Sequence, residues 1–454
     1  MNREVPTEPP LLESQGPPPG PRSSLLAHPA GFWFIFWGEF AERCSYFGMK
    51  TVLLLYMIDR LKFEEGTASS VVSFFMAASM GLPLLGGYVA DNFLGKYRTI
   101  VLFSVPYVLG HVVLGFENVP CLFLGLTLLV VGCGMVLPNT ATLMGLTYDQ
   151  KRPGQPQLLS DAFAIYYGAV NVGAAISMFA VPYIRTRWGY QIAFLFPAVL
   201  MAMSLVAFAA GKPFYAVEEV RRKSLSPQER RQRWTVLRRI AGLFIVIVFF
   251  WIIFDQPPTT WTLFARDHID LQLGGDCSLD PDQLQGLNPV FVVLLLTPIT
   301  GLWHALARRG IRLRPTDKML IGFALTAATM AILAVAGFLA GEGRVALAWG
   351  IVPYILITSA EICISVVGLE LAFTAAPPSM KGLVTGCWML TMALADTINA
   401  YITPFYDARI DRLGLTLTPG VYFAAFALLM VPVTAAFVIV ARRFNRAQEQ
   451  IGPS

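Results

Sequence analysis

The 454-residue sequence predicts an all-α membrane protein of about twelve transmembrane helices, arranged as two six-helix halves. Three observations predict it. Hydrophobic residues make up 55% of the chain and charged ones only 14%, with a mean hydropathy of +0.59, too apolar for an ordinary soluble enzyme. Apolar stretches of bilayer-spanning length recur about twelve times. An Arg-rich segment between the sixth and seventh stretches splits the series evenly.

In chain order, residues 1–28 are rich in Pro, Gly and Ser, lack the charged-then-apolar pattern of a cleavable signal, and read as a disordered cytoplasmic tail. Spans near 31–58, 68–91, 98–116, 119–147, 159–184 and 189–211 build an N-terminal bundle over 29–211. Residues 212–237 form a cytoplasmic linker carrying Arg221-Arg-Lys and Glu229-Arg-Arg-Gln-Arg, a charge pattern read as a solvated helix near anionic lipid rather than as an effector site. Spans near 238–263, 287–307, 316–338, 345–374, 382–405 and 420–441 build a C-terminal bundle over 238–444, and 445–454 is a second cytoplasmic tail.

Charge bias orients the series. Lys96, Arg98, Lys151, Arg152, a cluster from Arg308 to Lys318, and Arg442 with Arg443 fall in loops on one side, which places both termini in the cytoplasm. Arg185 and Arg187 are exceptions on the opposite side. The net charge of +5 is thereby distributed over short loops instead of forming one patch, which excludes a nucleic-acid partner. Six cysteines without CxxC or CxxH spacing support neither a disulfide framework nor a metal site. No phosphate loop, HExxH or GxSxG motif points to an enzyme. His111, alone in an apolar stretch, reads as a packed interhelical residue.

The most informative segment is span one, which carries Glu39, Glu42, Arg43 and Lys50. At roughly 100° per residue, positions 39, 43, 46 and 50 fall in one stripe, about 16 Å long. Each charge facing lipid at the bilayer centre costs about 2.5–3.5 kcal/mol, so the stripe faces protein or a wet central cavity. Asp255 in span seven, beside Gln256-Pro-Pro258 where the helix is expected to break, and Glu361 in span ten add acids at membrane depth. A single such acid can simply satisfy an Asn or a backbone group, but their joint occurrence on three spans points to function.

Two signatures carry a family resemblance. Gly86-Gly-Tyr-Val-Ala-Asp-Asn-Phe-Leu-Gly-Lys-Tyr-Arg98 resembles the gating motif of the major facilitator superfamily, with Asn92 where Arg is usual. There Asp91, followed by the Gly95 turn, suits a latch in which its carboxylate accepts backbone N–H bonds from a neighbouring helix N-terminus. Glu39-Phe-Ala-Glu-Arg-Cys-Ser-Tyr-Phe-Gly-Met-Lys50 resembles the ExxER signature of the proton-dependent oligopeptide transporter family. The similarity continues through Tyr166-Tyr-Gly-Ala-Val-Asn-Val-Gly173, Phe250-Trp-Ile-Ile-Phe-Asp-Gln256, Leu287-Asn-Pro289 and Ala360-Glu-Ile-Cys-Ile-Ser-Val-Val-Gly368.

The resemblance implies a major facilitator fold and proton-coupled import of di- and tripeptides by alternating access, with the proton as coupling ion, no cofactor, and a monomer in the plasma (inner) membrane. It assigns proton coupling to Glu39, Glu42, Arg43, Asp255 and Glu361. It assigns substrate binding to Arg43, Tyr46, Lys50, Asn171, Asn288 and Glu361, the cations holding the peptide carboxylate and the other three holding the amine, and gating to Asp91 and Gly95. Departures bear on this assignment. Lys50 replaces an Arg, exchanging a bidentate fork for a point charge. Leu137, in Gly132-Cys-Gly-Met-Val-Leu-Pro-Asn139, replaces a Lys that usually pairs with the span-ten acid, and Met80 and Phe47 replace pocket phenols. Nitrate, a carboxylate or a modified amino acid as cargo, and a non-transporting sensor on the same fold, therefore stay open as alternatives.

Overall fold

The computed structural model describes residues 25–218, 227–275, 277–368, 381–410 and 415–449. Thirteen α-helices run through these residues: α1 Ala30–Asp59, α2 Glu65–Gly81, α3 Pro83–Val89, α4 Lys96–Leu114, α5 Val119–Lys151, α6 Pro156–Ala210, α7 Pro227–Phe254, α8 Thr262–His268, α9 Leu287–Arg308, α10 Pro315–Ala340, α11 Ala348–Glu361, α12 Lys381–Ile402 and α13 Pro419–Glu449. Among the described residues, two small antiparallel strand pairs in loops depart from the helical class.

Nine helical segments among the described residues are long and apolar enough to cross a membrane. One of them, α6, turns back at Gly189 (φ 86°, ψ 172°), a backbone conformation open to glycine, and so supplies two of the expected spans. Helix α1 has the length but carries the charged stripe, and α12 has it but carries Asp396 and Asn399. The expected series of about twelve is thereby accounted for. Span two is broken at Pro83, where α2 gives way to α3, and span seven is broken after Phe254 at Pro257 and Pro258, before α8.

Boundaries differ in two places. Helix α7 begins at Pro227, inside the segment read as linker, so that part of the linker is a helical extension of span seven. Helix α13 runs on to Glu449, past the boundary set at 444. The end of span ten, 369–374, lies outside the described residues.

Packing follows the two halves. Helix α1 lies mainly against α6, and α4 against α5 and α6; in the second half α10 packs against α11 and α13, and α7 against α12. Without a hydrophobic drive between helices in lipid, small residues let backbones close up. A Cβ on Gly337 of α10 would stand 2.5 Å from the backbone nitrogen of Gly420 on α13, which only glycine at this crossing avoids. The halves meet where α2 packs on α12 and where α6 packs on α9.

One end of that seam is latched. Arg185 of α6 donates to Asp282 at 2.7 Å and lies 3.0 Å from Asp280, both in the loop before α9, and Thr186 bonds the same Asp280. Glu65 of α2 pairs with Arg266 of α8, and Gln285 donates to the Thr51 carbonyl at 3.3 Å. At the other end of the seam, Phe163 and Tyr167 on α6 and Val366 beyond α11 are exposed. The contacts between the halves described here thus cluster at the end of the seam opposite Lys96, Lys151 and residues 212–218.

Candidate functional site

The cavity between the halves has a volume of about 310 Å³, at the lower end of the range for small-molecule sites. Its polar lining comes from both halves: Arg43, Tyr46 and Lys50 of α1, Asn171 of α6, Asp255 at the α7 break, Asn288 of α9, and Glu361 at the end of α11. Seven residues singled out in the sequence thus meet in one space. Phe47 and Met80 line it as well, with Met76, Met178 and Met392, so much of the wall is apolar and adaptable.

Helical periodicity explains the α1 contribution, because positions 43, 46 and 50 share a face. The stripe does not face the cavity along its whole length. Glu39 is buried behind Arg43, 3.2 Å from its Nε, near Tyr166 and Thr140, which bond each other at 3.0 Å. Glu42 lies off the stripe, paired with Arg43 and accepting a 2.8 Å bond from Tyr107 of α4. The guanidinium therefore sits between two acids and over the Tyr46 ring, at 5.7 Å. Burial of three charges demands such mutual pairing, since an isolated one costs several kcal/mol. Behind the cluster, His111 packs between helices, its Nε2 2.8 Å from Ser45 Oγ and its ring stacked on Tyr107. Tyr107 carries no sequence signal that separates it from a packing aromatic.

On the opposite wall, Glu361 is not left alone by Leu137. Asn288 donates to its Oε2 at 2.9 Å and to Thr358 at 3.0 Å, a neutral replacement for the absent Lys. Both Asn288 amide donors are thus engaged, which leaves its oxygen available to an ammonium. Asn171 donates to the Tyr167 carbonyl one turn back, which likewise leaves its oxygen free for a donor. Asp255 follows the last turn of α7, and its Oδ2 has no partner among the described residues. The Pro257-Pro258 break puts this carboxylate at a helix end, as the sequence suggested.

One ionisable group of the cavity was missed. Asp396 of α12 lines the same cavity, is 1% exposed, and has no hydrogen-bond partner on either oxygen among the described residues. An acid inside the eleventh apolar span was the available signal, the same one that singled out Glu361. Among the described residues no group of His, Cys, Asp and Glu could hold a metal ion.

Away from the cavity, Gly95 (φ 81°, ψ 159°) makes the turn between Leu94 and α4. Asp91 accepts no backbone N–H bond from a helix N-terminus among the described residues. Asp91 accepts from Lys96 Nζ at 2.5 Å, while the N–H groups of Lys96 and Tyr97, at the start of α4, donate to Glu218 at 2.6 and 3.1 Å. Asp91 is already engaged by a side chain five residues on and stands largely in solvent, so the cap falls to a carboxylate delivered by the chain after α6.

Comparison with known proteins agrees with this architecture. The family model described as the POT family matches residues 97–242 and 219–415. Solute carrier family 15 member 2 of Mus musculus is 31% identical over 70% of this chain and 51% of its own length. Dipeptide and tripeptide permease A of Serratia proteamaculans is 26% identical over 87% of this chain and 85% of its own. The chain spans about half the length of the mammalian relative and most of the bacterial one. The crystal structure of an auto-inhibited POT family peptide transporter superposes with a TM-score of 0.82 at 25% identity, over 91% of this chain and 97% of that one. A match over more than half the sequence, a relative above 30% identity and a shared helical architecture leave one assignment: this chain is an integral membrane protein of the POT family, a family of transporters and not of enzymes.

Proposed function

We propose that the protein is a proton-coupled symporter that imports di- and tripeptides by alternating access across the plasma (inner) membrane, with both termini in the cytoplasm. The observation that carries this reading is the division of the cavity: cations from α1 on the first half, and Asn288 with Glu361 on the second. A short peptide zwitterion matches that division, its carboxylate toward Lys50 and Arg43 and its ammonium toward Asn171, Asn288 and Glu361. The names of the relatives, peptide permeases and peptide transporters, point the same way.

Coupling follows from competition for the cations. Arg43 is held by Glu39 and Glu42, and Lys50 shares its cavity with Asp255. A proton on one of these acids weakens its hold and releases the cation to the substrate carboxylate, so that proton and peptide favour each other's binding. The Arg185–Asp282 and Glu65–Arg266 contacts across the seam hold the outer face shut in this state, which makes it the inward-facing one. No covalent chemistry is required. One proton crossing about 100 mV and one pH unit supplies about 3.7 kcal/mol, enough for roughly 500-fold accumulation of a neutral peptide.

The test is uptake of labelled dialanine into proteoliposomes under an inward proton gradient, with and without a protonophore. Protonophore-sensitive accumulation is expected. Sealed, correctly reconstituted vesicles that neither accumulate dialanine nor bind a competing peptide would overturn the reading in favour of another solute or a sensor.

A further inference from the structure

Asp396 is not used by the scheme above. Its carboxylate is buried at 1% exposure and lines the cavity, with both oxygens unpartnered. Asp255 Oδ2 is likewise unpartnered. Lys50 interacts electrostatically with both acids without a hydrogen bond to either, and its Nζ lies over the Phe47 ring at 5.2 Å. Arg43 is already engaged by Glu39 and Glu42, and Glu361 by Asn288. One ammonium therefore stands against two unpaired carboxylates, and an unpaired carboxylate in a membrane interior is expensive unless something fills the site.

The surroundings indicate what fills it. Trp388, Met392 and Asp396 recur every four residues on α12, and all three line the cavity. They form a rail roughly 12 Å long with an apolar body and an anionic end. Trp251 and Met76 add apolar wall on the facing elements. A lysine or arginine side chain has the complementary build, an aliphatic stem that packs on apolar surface and a charged head that seeks an acid.

We propose that Asp396, with Asp255 beside it, forms an anionic subsite that takes the cationic side chain of a lysyl or arginyl peptide. The inference rests on the peptide reading and names the side-chain class that reading leaves open. With a neutral side chain bound, Asp396 is neutralised only by taking up a proton, so the subsite favours cationic peptides over neutral ones of the same length.

The experiment is calorimetric binding of alanyl-lysine and dialanine to the full-length protein in nanodiscs, for wild type, Asp396→Asn, Asp396→Ala and Asp396→Glu. The expected result is that the ratio of the two affinities falls about tenfold toward dialanine in Asn and Ala, and is kept in Glu. An unchanged ratio, or equal losses for both peptides, overturns the proposal. Monomeric elution of each variant from gel filtration separates these outcomes from misfolding. If neither peptide binds wild type, the peptide reading falls, and the diamine cadaverine then probes the subsite alone. Binding of cadaverine that is lost in Asp396→Asn and kept in Asp396→Glu retains the subsite; binding indifferent to position 396, or none, removes it.

Discussion

Arg185→Ala should unlock the outer face. In the structure the Arg185 side chain is 10% exposed and Asp282 is fully buried, the two bonded at 2.7 Å, with Asp280 a further 3.0 Å contact. Removing the guanidinium leaves Asp282 buried and unpaired, a situation that costs about 3–5 kcal/mol. Only the outward-closed state bears that cost, because opening the seam returns Asp282 to water. The equilibrium between closed and open outer faces should therefore shift by a factor on the order of a hundred to a few thousand toward the open form. Arg185→Lys, which keeps the charge but loses the fork, should shift it far less. The assay is electron–electron double resonance between spin labels at Glu64 and Glu342, exposed outer-loop positions on opposite halves, in a cysteine-depleted background. A new population at longer distance is expected in Arg185→Ala, and Arg185→Ala with Asp282→Asn should recover much of the closed population. An unchanged distance distribution in correctly folded Arg185→Ala protein would refute the idea that this contact holds the face shut.

Three further outcomes are expected. Glu39→Gln removes one of the two acids holding Arg43 and should abolish pH-driven accumulation while leaving the fold intact; normal accumulation would end its proton role. Lys50→Ala should weaken binding of peptides with a free carboxylate more than that of amidated peptides, and equal losses would contradict the carboxylate assignment. Glu218→Ala leaves two N–H groups at the start of α4 uncapped and should cost about 0.5–2 kcal/mol, read as a lower unfolding midpoint in detergent, whereas Glu218→Gln should retain part of the cap; an unchanged midpoint in the Ala variant would show that the cap adds nothing.

What the sequence disclosed was local: charges that violate an apolar context, and residues that break helices. Glu39, Arg43, Lys50, Asp255 and Glu361 were legible because each is costly where it lies, and the break at Pro257 because proline cannot continue the helix there. Asp396 was legible by the same rule and was passed over because no motif surrounds it. What could not be read was pairing between residues remote in sequence. Arg185 looked like an exception to the charge bias of the loops, and the structure explains it as half of a latch whose other half lies 97 positions away. The cap on α4 comes from Glu218, 122 positions from Lys96, while the local candidate, Asp91, is occupied by a nearer lysine. Periodicity placed the α1 stripe on one face but could not say that Arg43 would screen Glu39 from the cavity.

The charge balance of the cavity carries the coupling argument one step further. With every group ionised, Arg43 between Glu39 and Glu42 leaves one excess negative charge, and Lys50 against Asp255, Asp396 and Glu361 leaves two. A neutral zwitterion changes neither, so its occupancy favours proton uptake by the acids left unpaired. A lysyl peptide brings one positive charge of its own and replaces one of those protons at Asp396. The number of protons carried per alanyl-lysine should then be one lower than per dialanine, while the total charge moved per peptide is the same for both. Reversal potentials in proteoliposomes, measured with the membrane potential and the pH gradient varied independently, give both quantities. An equal proton number for the two peptides, with one extra charge moved per alanyl-lysine, would show that Asp396 and its neighbours do not exchange a proton for the side chain.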